Sequence, residues 1–269
     1  MAIRLIEQHH RPGQHLGRHI EHDPRSLAYA YGVLPKSAIK TVEWTRRIPI
    51  LDQGDLGSCT GNAAEAFTGT DPLYDAIPAT VKARPTGDAG ADETQAVALY
   101  SAATRLDNVQ GVYPPTDTGS TGVAVAKAAQ KAGLISGYQH AFSLDSALKA
   151  LAVSPLIVGV NWYEGFDTPD ANGLVKISGS VRGGHEFLVH KIDAAKKLVG
   201  GRNSWGLGYG LDGEFWFSFD DLGRLLDEDG DATLFVPLTS PAPTPTPTPV
   251  NVDAALAASM HTWLTAKGL

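Results

Sequence analysis

A single cysteine, Cys59, stands in the segment Gln53-Gly54-Asp55-Leu56-Gly57-Ser58-Cys59-Thr60-Gly61-Asn62. Far downstream come Gly183-Gly184-His185 and Arg202-Asn203-Ser204-Trp205-Gly206. A thiol, an imidazole and an amide in that chain order can act as nucleophile, base and base-orienting group. The thiol needs a base or a positive field to become the reactive thiolate. A turn at Gly57-Ser58, with Ser58 as N-cap, predicts that Cys59 opens a helix, whose N-terminal dipole favours negative charge. His185 would then hold the thiol proton and return it to a leaving amine, while Asn203 accepts the other ring N–H. The backbone N–H of Cys59 and the side-chain amide of Gln53 are the expected oxyanion donors. Trp205 is expected to cover the Asn203–His185 bond and exclude water.

These groups must be carried by a fold, and the chain changes texture midway. A short strand is expected at residues 41–45, followed by a helix from Cys59 through Ala63, Ala64, Ala66 and Phe67. Further helices are expected at 93–106, 123–132 (ended by Gly133) and 144–152. Residues 85–92 and 108–122 read as loops. Beyond Pro155 come apolar, strand-like runs at 156–160, 185–192, 197–202, 214–219 and 233–236. Helices first and strands second imply an α+β architecture.

The flanks differ from this core. Residues 1–38 form a polar arm in which His9, His10, His15, His19 and His22 crowd together. His15, His19 and His22 have the spacing of one helix face, but Pro12, Gly13, Gly17 and Pro24 interrupt any long helix. They read as solvated histidines on an extended arm, and no metal or cofactor is expected. Residues 240–250 alternate Pro and Thr, the pattern of an extended spacer. In 251–269, Val252, Leu256, Met260 and Trp263 line one face of a helix, which suggests docking onto a partner or a second copy. The acidic run Asp227 to Asp231 reads as a solvated turn, and Trp44, His140 and His190 as structural residues.

Composition excludes some classes. The net charge of −7 argues against nonspecific nucleic-acid binding. One cysteine excludes an intramolecular disulfide framework. No run reaches the ~18 apolar residues of a membrane span, and the first residues lack a signal-peptide core, so a cytoplasmic location is expected.

The residues Trp44, Gln53, Gly57-Ser58-Cys59, Gly184-His185, Asn203-Ser204-Trp205-Gly206 and Gly213 resemble the papain-like cysteine peptidase family, over roughly residues 40–237. His185 and Asn203 lie about 125 and 145 residues beyond the thiol, near that family's spacing. The resemblance implies a peptidase domain at 39–239. Its helical part, about 55–153, would face an antiparallel β-barrel-like part, about 154–237, across the cleft. It assigns Gly119, Ser120 and Gly184 to the substrate backbone, and the helix after Thr121 with Leu134-Ile135 to the acyl side of the cleft. The chain departs from the family in having Leu56 for a further cysteine, Thr60 for an aromatic residue, and Glu186 for a small residue after the histidine. On a strand Glu186 should point away from the side that His185 occupies, and if buried it needs a partner. The arm is short for the large inhibitory propeptide of secreted relatives.

The implied function is a cysteine-type endopeptidase acting on peptide or protein substrates. The compact, disulfide-free form resembles bacterial and bacteriophage members, so tethering to an assembly or virion through 251–269 is part of the expectation. Two other readings stand beside it. One is an adaptor protein on a peptidase fold, docked by its terminal helix. The other is an amidase acting on a peptidoglycan peptide, which would use the same residues.

Overall fold

The computed structural model describes residues 2–22 and 39–239. The Pro/Thr spacer, the terminal segment 251–269 with its expected helix, and residues 23–38 lie outside the described residues. No helix among the described residues is long and apolar enough to cross a membrane.

The arm begins with β1 (Ala2–Arg4), which pairs antiparallel with β2 (Ile20–His22). After β3 (Val42–Glu43) the helical half follows: α1 (Cys59–Thr68), α2 (Leu73–Ala76), α3 (Ala89–Ala103) and α4 (Gly122–Lys131). All ten residues of α1 are buried. Alanine, glycine and threonine make this possible, since short side chains let the helix be surrounded on every side. The caps are local: Asp88 accepts from the Ala91 N–H at the start of α3, and Thr121 accepts from Ala124 at the start of α4. Because the Asp88 cap sets its start, α3 begins before the expected 93.

The sheet half holds β4 (Gly137–Ala141), α5 (Leu144–Leu151), β5 (Leu156–Tyr163), β6 (Val181–Asp193), β7 (Leu198–Arg202), β8 (Glu214–Ser218), α6 (Phe219–Asp227) and β9 (Asp231–Val236). Ser143 and Ser146 form a reciprocal capping box on α5, and Ser218 caps α6, whose first turn carries Asp220 and Asp221. The sheet has seven strands in the order β4-β9-β5-β6-β7-β8, with β3 also paired to β6. All its ladders are antiparallel.

Three expectations change here. The sheet is open, not a closed barrel, because β4 and β8 end it without pairing to each other. It reaches back to Gly137, inside the stretch expected to be helical, since β4 pairs along the whole edge of β9. Residues 219–227, between two expected strands, form α6 instead, where buried Leu222, Leu225 and Leu226 give a helical stripe.

The core is continuous across the halves. Phe67 of α1 meets Phe235 of β9 with ring centroids 4.7 Å apart. Beneath the site, Trp162, Phe166, Phe187, Phe215 and Phe217 form an aromatic cluster that stiffens β5, β6 and β8.

Candidate active site

Cys59 is the first residue of α1 and is fully buried. Ser58 occupies the N-cap position but makes no capping bond; its hydroxyl donates to Asn62 Oδ1 at 2.9 Å instead. The expected side-chain cap is therefore corrected, and the N-terminal N–H groups of α1 are left to other acceptors.

Opposite the helix, β6 carries Gly184, His185 and Glu186 in succession. The Nε2 of His185 lies 2.7 Å from Asn203 Oδ1, which also accepts the Ser204 N–H at 2.8 Å. An amide oxygen fixed in this way can only accept, so Nε2 carries the proton in the neutral ring and Nδ1 is the basic nitrogen. Nδ1 is buried and has no hydrogen-bond partner. Trp205 lies over the ring at 4.8 Å and Trp162 meets it edge-on at 4.7 Å, so the His185–Asn203 bond is shielded from water. The helix that Cys59 opens packs against this strand, and the Glu186 backbone N–H lies where it favours a thiolate at Cys59.

Gln53 is held by the same loop as Asn203. Its backbone N–H donates to Ser204 O at 2.9 Å, its Oε1 accepts from Ser204 Oγ at 2.6 Å, and its Nε2 donates to Leu56 O at 2.7 Å. The amide orientation is thus fixed, with one of its two N–H bonds engaged in its own turn.

The cleft is filled by the N-terminal arm. The N–H groups of Gly17 and Arg18 both donate to Gly184 O, at 3.2 and 3.0 Å. On the other wall Ser120 N–H donates to Gly17 O, and His19 N–H to Ser120 O, both at 2.8 Å, a parallel bridge of Arg18 with Ser120. Gln8 pins the arm further, donating to Arg18 O and accepting from the Gly184 N–H, both at 3.1 Å. The Trp205 indole donates to His15 O at 3.1 Å. Gly17 fits because it lacks a side chain: a Cβ there would lie 2.0 Å from Gly57 O. Of the residues expected to bind substrate backbone, Ser120 and Gly184 hold the arm by hydrogen bonds. Gly119 (φ +65°) presses against it, with its N–H taken by the Tyr100 hydroxyl at 2.9 Å.

Burial shifts the thiol and the imidazole in opposite directions. Burial pushes the Cys59 thiol up to about 12 and the Glu186 charge adds to this, against the N–H groups of Glu186, Gly17 and Thr60. Burial lowers His185 to about 4 despite its bond to Asn203. Both shifts favour the neutral thiol and imidazole over a thiolate–imidazolium pair.

The arm histidines are not all solvated as expected. His19 is buried, its Nδ1 accepting the Ile6 N–H at 3.1 Å and its Nε2 against Thr118 O at 2.9 Å. Among the described residues no group of three or more His, Cys, Asp or Glu is placed to hold a metal ion. The acidic turn is also not simply solvated. Asp229 pairs with Arg4, and its carbonyl, like the Asp231 carboxylate, accepts from Arg18. The pairing of Arg18 with Asp231, the last residue of that acidic run, has no signature in the sequence, where the only signal is a charge, Glu186, set in the apolar run after His185.

No protein-family model matches the chain, and no curated protein matches it. Solved structures do match. Xylellain, a cysteine protease from Xylella fastidiosa, gives a TM-score of 0.64 at 17% identity, over 87% of this chain and 100% of that one. The procathepsin B S9 of Trypanosoma congolense gives 0.56 at 10% identity, over 82% and 86%. At these identities the likeness is one of fold, and the fold is papain-like.

Proposed function

We propose that the protein is a cysteine-type endopeptidase with Cys59 as nucleophile, His185 as base and acid, and Asn203 as the group orienting the ring. The observation that carries this is the 2.7 Å His185–Asn203 bond under Trp205. It leaves Nδ1 as the free basic nitrogen, on the strand that packs against the helix Cys59 opens. In the reaction Nδ1 takes the thiol proton and sulfur bonds to the substrate carbonyl carbon, moving an electron pair onto oxygen. The N–H groups at the start of α1 and the Gln53 amide are the donors for that oxygen. Collapse breaks the carbon–nitrogen bond, with the imidazolium proton leaving on the amine. Water then hydrolyses the thioester and restores the thiol.

With the arm in the cleft the protein is latent: the substrate's place on Ser120 and Gly184 is taken and the thiol is held neutral. Peptidase activity is therefore expected from protein whose arm is displaced or removed, assayed with a peptide library. Cys59→Ala should abolish it, and Gln53→Ala should lower turnover roughly 10²–10³-fold. Turnover by the Cys59→Ala protein would sink the assignment. The amidase reading uses the same residues, and cleavage of a peptidoglycan peptide but no protein would favour it. Docking onto a larger assembly, a virion among the candidates, rests on the apolar stripe of 251–269. Truncation after Thr239 tests it: attachment or oligomerisation should be lost while peptidase activity is kept.

A further inference from the structure

Arg18 is the one cleft-bound side chain of the arm whose charge is completely buried. It leaves the arm backbone one residue beyond Gly17, which lies against Gly57, two residues before the thiol. Its Nη2 donates to Asp231 Oδ2 at 2.5 Å and to Asp229 O at 2.8 Å. The space it fills exists because two walls lack side chains. A Cβ on Gly159 of β5 would lie 2.5 Å from Arg18 Nε. A Cβ on Gly122 of α4 would lie 2.7 Å from Asp231 Oδ1 and 2.8 Å from Glu186 Oε1. Two carboxylates therefore converge on one cavity beside the thiol.

The occupant uses only part of what this cavity offers. Glu186 is fully buried, and neither of its carboxylate oxygens has a hydrogen-bond partner; Asp231 Oδ1 has none either. On the other side of the mismatch, Nε and Nη1 of Arg18 are also unpaired. A buried carboxylate without a partner is costly to keep in a fold. It is explained if the arm's guanidinium is a poorly fitted stand-in for a ligand that meets all the acceptors.

We propose that the cavity formed by Glu186, Asp231, Gly122 and Gly159 is the specificity pocket of the peptidase, and that it selects substrates with arginine next to the residue whose carbonyl is attacked. This rests on the peptidase reading above. A guanidinium is planar and carries five donors, so it can be held by two carboxylates and a carbonyl at once; an apolar side chain would leave all of them bare. Better satisfaction of these acceptors than Arg18 achieves would let a substrate compete with the tethered arm.

The test uses the full-length chain carrying Gly17→Ala, which displaces the arm by collision with Gly57, and in parallel Arg18→Ala, which removes the stand-in. Fluorogenic amides are compared that share glycine at the scissile residue and differ only in the residue before it: arginine, citrulline, norleucine or glutamate. Arginine should exceed citrulline, its uncharged isostere, in kcat/KM by about tenfold or more. Asp231→Asn and Glu186→Gln, each made in both backgrounds, should bring the arginine-to-citrulline ratio toward one. Equal rates for arginine and citrulline, or a ratio unmoved by both substitutions, would overturn the pocket while leaving the peptidase intact. If no amide is cleaved, alkylation of Cys59 by arginyl and norleucyl epoxides is read by mass spectrometry. Faster arginyl labelling sustains the pocket without the peptidase, and equal labelling overturns it.

Discussion

Strand β6 carries two buried charge clusters, a few residues apart, and they are satisfied in opposite ways. At Glu186 the neutralising cation belongs to the arm, and the carboxylate has no hydrogen bond. At Glu214, which faces the far part of β6, the cations belong to the sheet itself: Lys191 lies 2.7 Å away and Arg202 3.3 Å away, with the buried His190 imidazole, lowered by burial to about 4, also at 3.3 Å. The pKa values follow. Burial raises Glu186, Asp231 pushes further the same way, and Arg18 only partly opposes them. Burial also works to raise Glu214, but the bonds from His190 and Lys191 and the Arg202 charge outweigh it, holding that carboxyl below the usual range. One cluster is part of the scaffold. The other is complete only while a separable segment is in place, which is what a binding site requires.

Removing the scaffold charge should cost most. Glu214→Gln leaves Lys191 and Arg202 facing each other inside the sheet and should destabilise the protein by about 2–4 kcal/mol, below the fully buried case because Glu214 keeps some exposure. Differential scanning calorimetry should show the melting temperature falling by roughly 5–15 °C. A loss under 2 °C would erase the contrast between the clusters. Next is the arm. Gly17→Ala places a methyl group against Gly57 and should weaken the closed state by about 1–3 kcal/mol. Iodoacetamide labelling of Cys59 at neutral pH should then accelerate roughly 10- to 100-fold, and an unchanged rate would mean that the arm does not guard the thiol.

Glu186→Gln sharpens the comparison from the other side. It replaces a buried acid that has no hydrogen bond, and whose charged form burial and Asp231 disfavour, by a neutral amide, so the melting temperature should hold or rise slightly. Arg18 loses part of its field, and protease nicking near Gly17 should become a few-fold faster. A fall like that of Glu214→Gln would make Glu186 a scaffold charge after all. The smallest effect is that of pH. Burial lowers His185 to about 4, and also lowers His19 and His10. His19 holds the arm through a lone pair on Nδ1 that a proton would take. The open state therefore binds more protons between about pH 6.5 and 4, and the closed state should weaken as pH falls through that window. Hydrogen exchange at Gly17 and Ser120, corrected for its intrinsic pH dependence, should show protection falling from pH 7 to pH 5. Constant protection would remove the imidazoles from the latch.

The start of α1 at Cys59, the meeting of His185 with Asn203 and the broad order of helices before strands were legible because they are local or motif-borne. Cys59 opens α1 as the Gly57-Ser58 turn implies, and His185 and Asn203 meet although they lie on different strands. What escaped is non-local. β4 has no strand signature of its own and exists because β9 offers it an edge. The Ser58 cap failed because Asn62 competes for the hydroxyl. Arg18 and Asp231 are 213 residues apart, and each reads alone as an ordinary surface charge. Their pairing depends on a path of the arm that Pro12, Gly13 and Gly17 permit but do not dictate.

The arm reaches the cleft from within the same chain, so its occupancy is a first-order equilibrium that dilution cannot shift. A tethered segment of this kind acts at an effective concentration in the millimolar range. A peptide copying residues 14–20, supplied in trans, would need comparable concentrations to do the same. Onset of activity should therefore be independent of protein concentration if opening is spontaneous, and should steepen with it if one molecule cuts the arm of another. Progress curves at several dilutions would tell these two modes of onset apart.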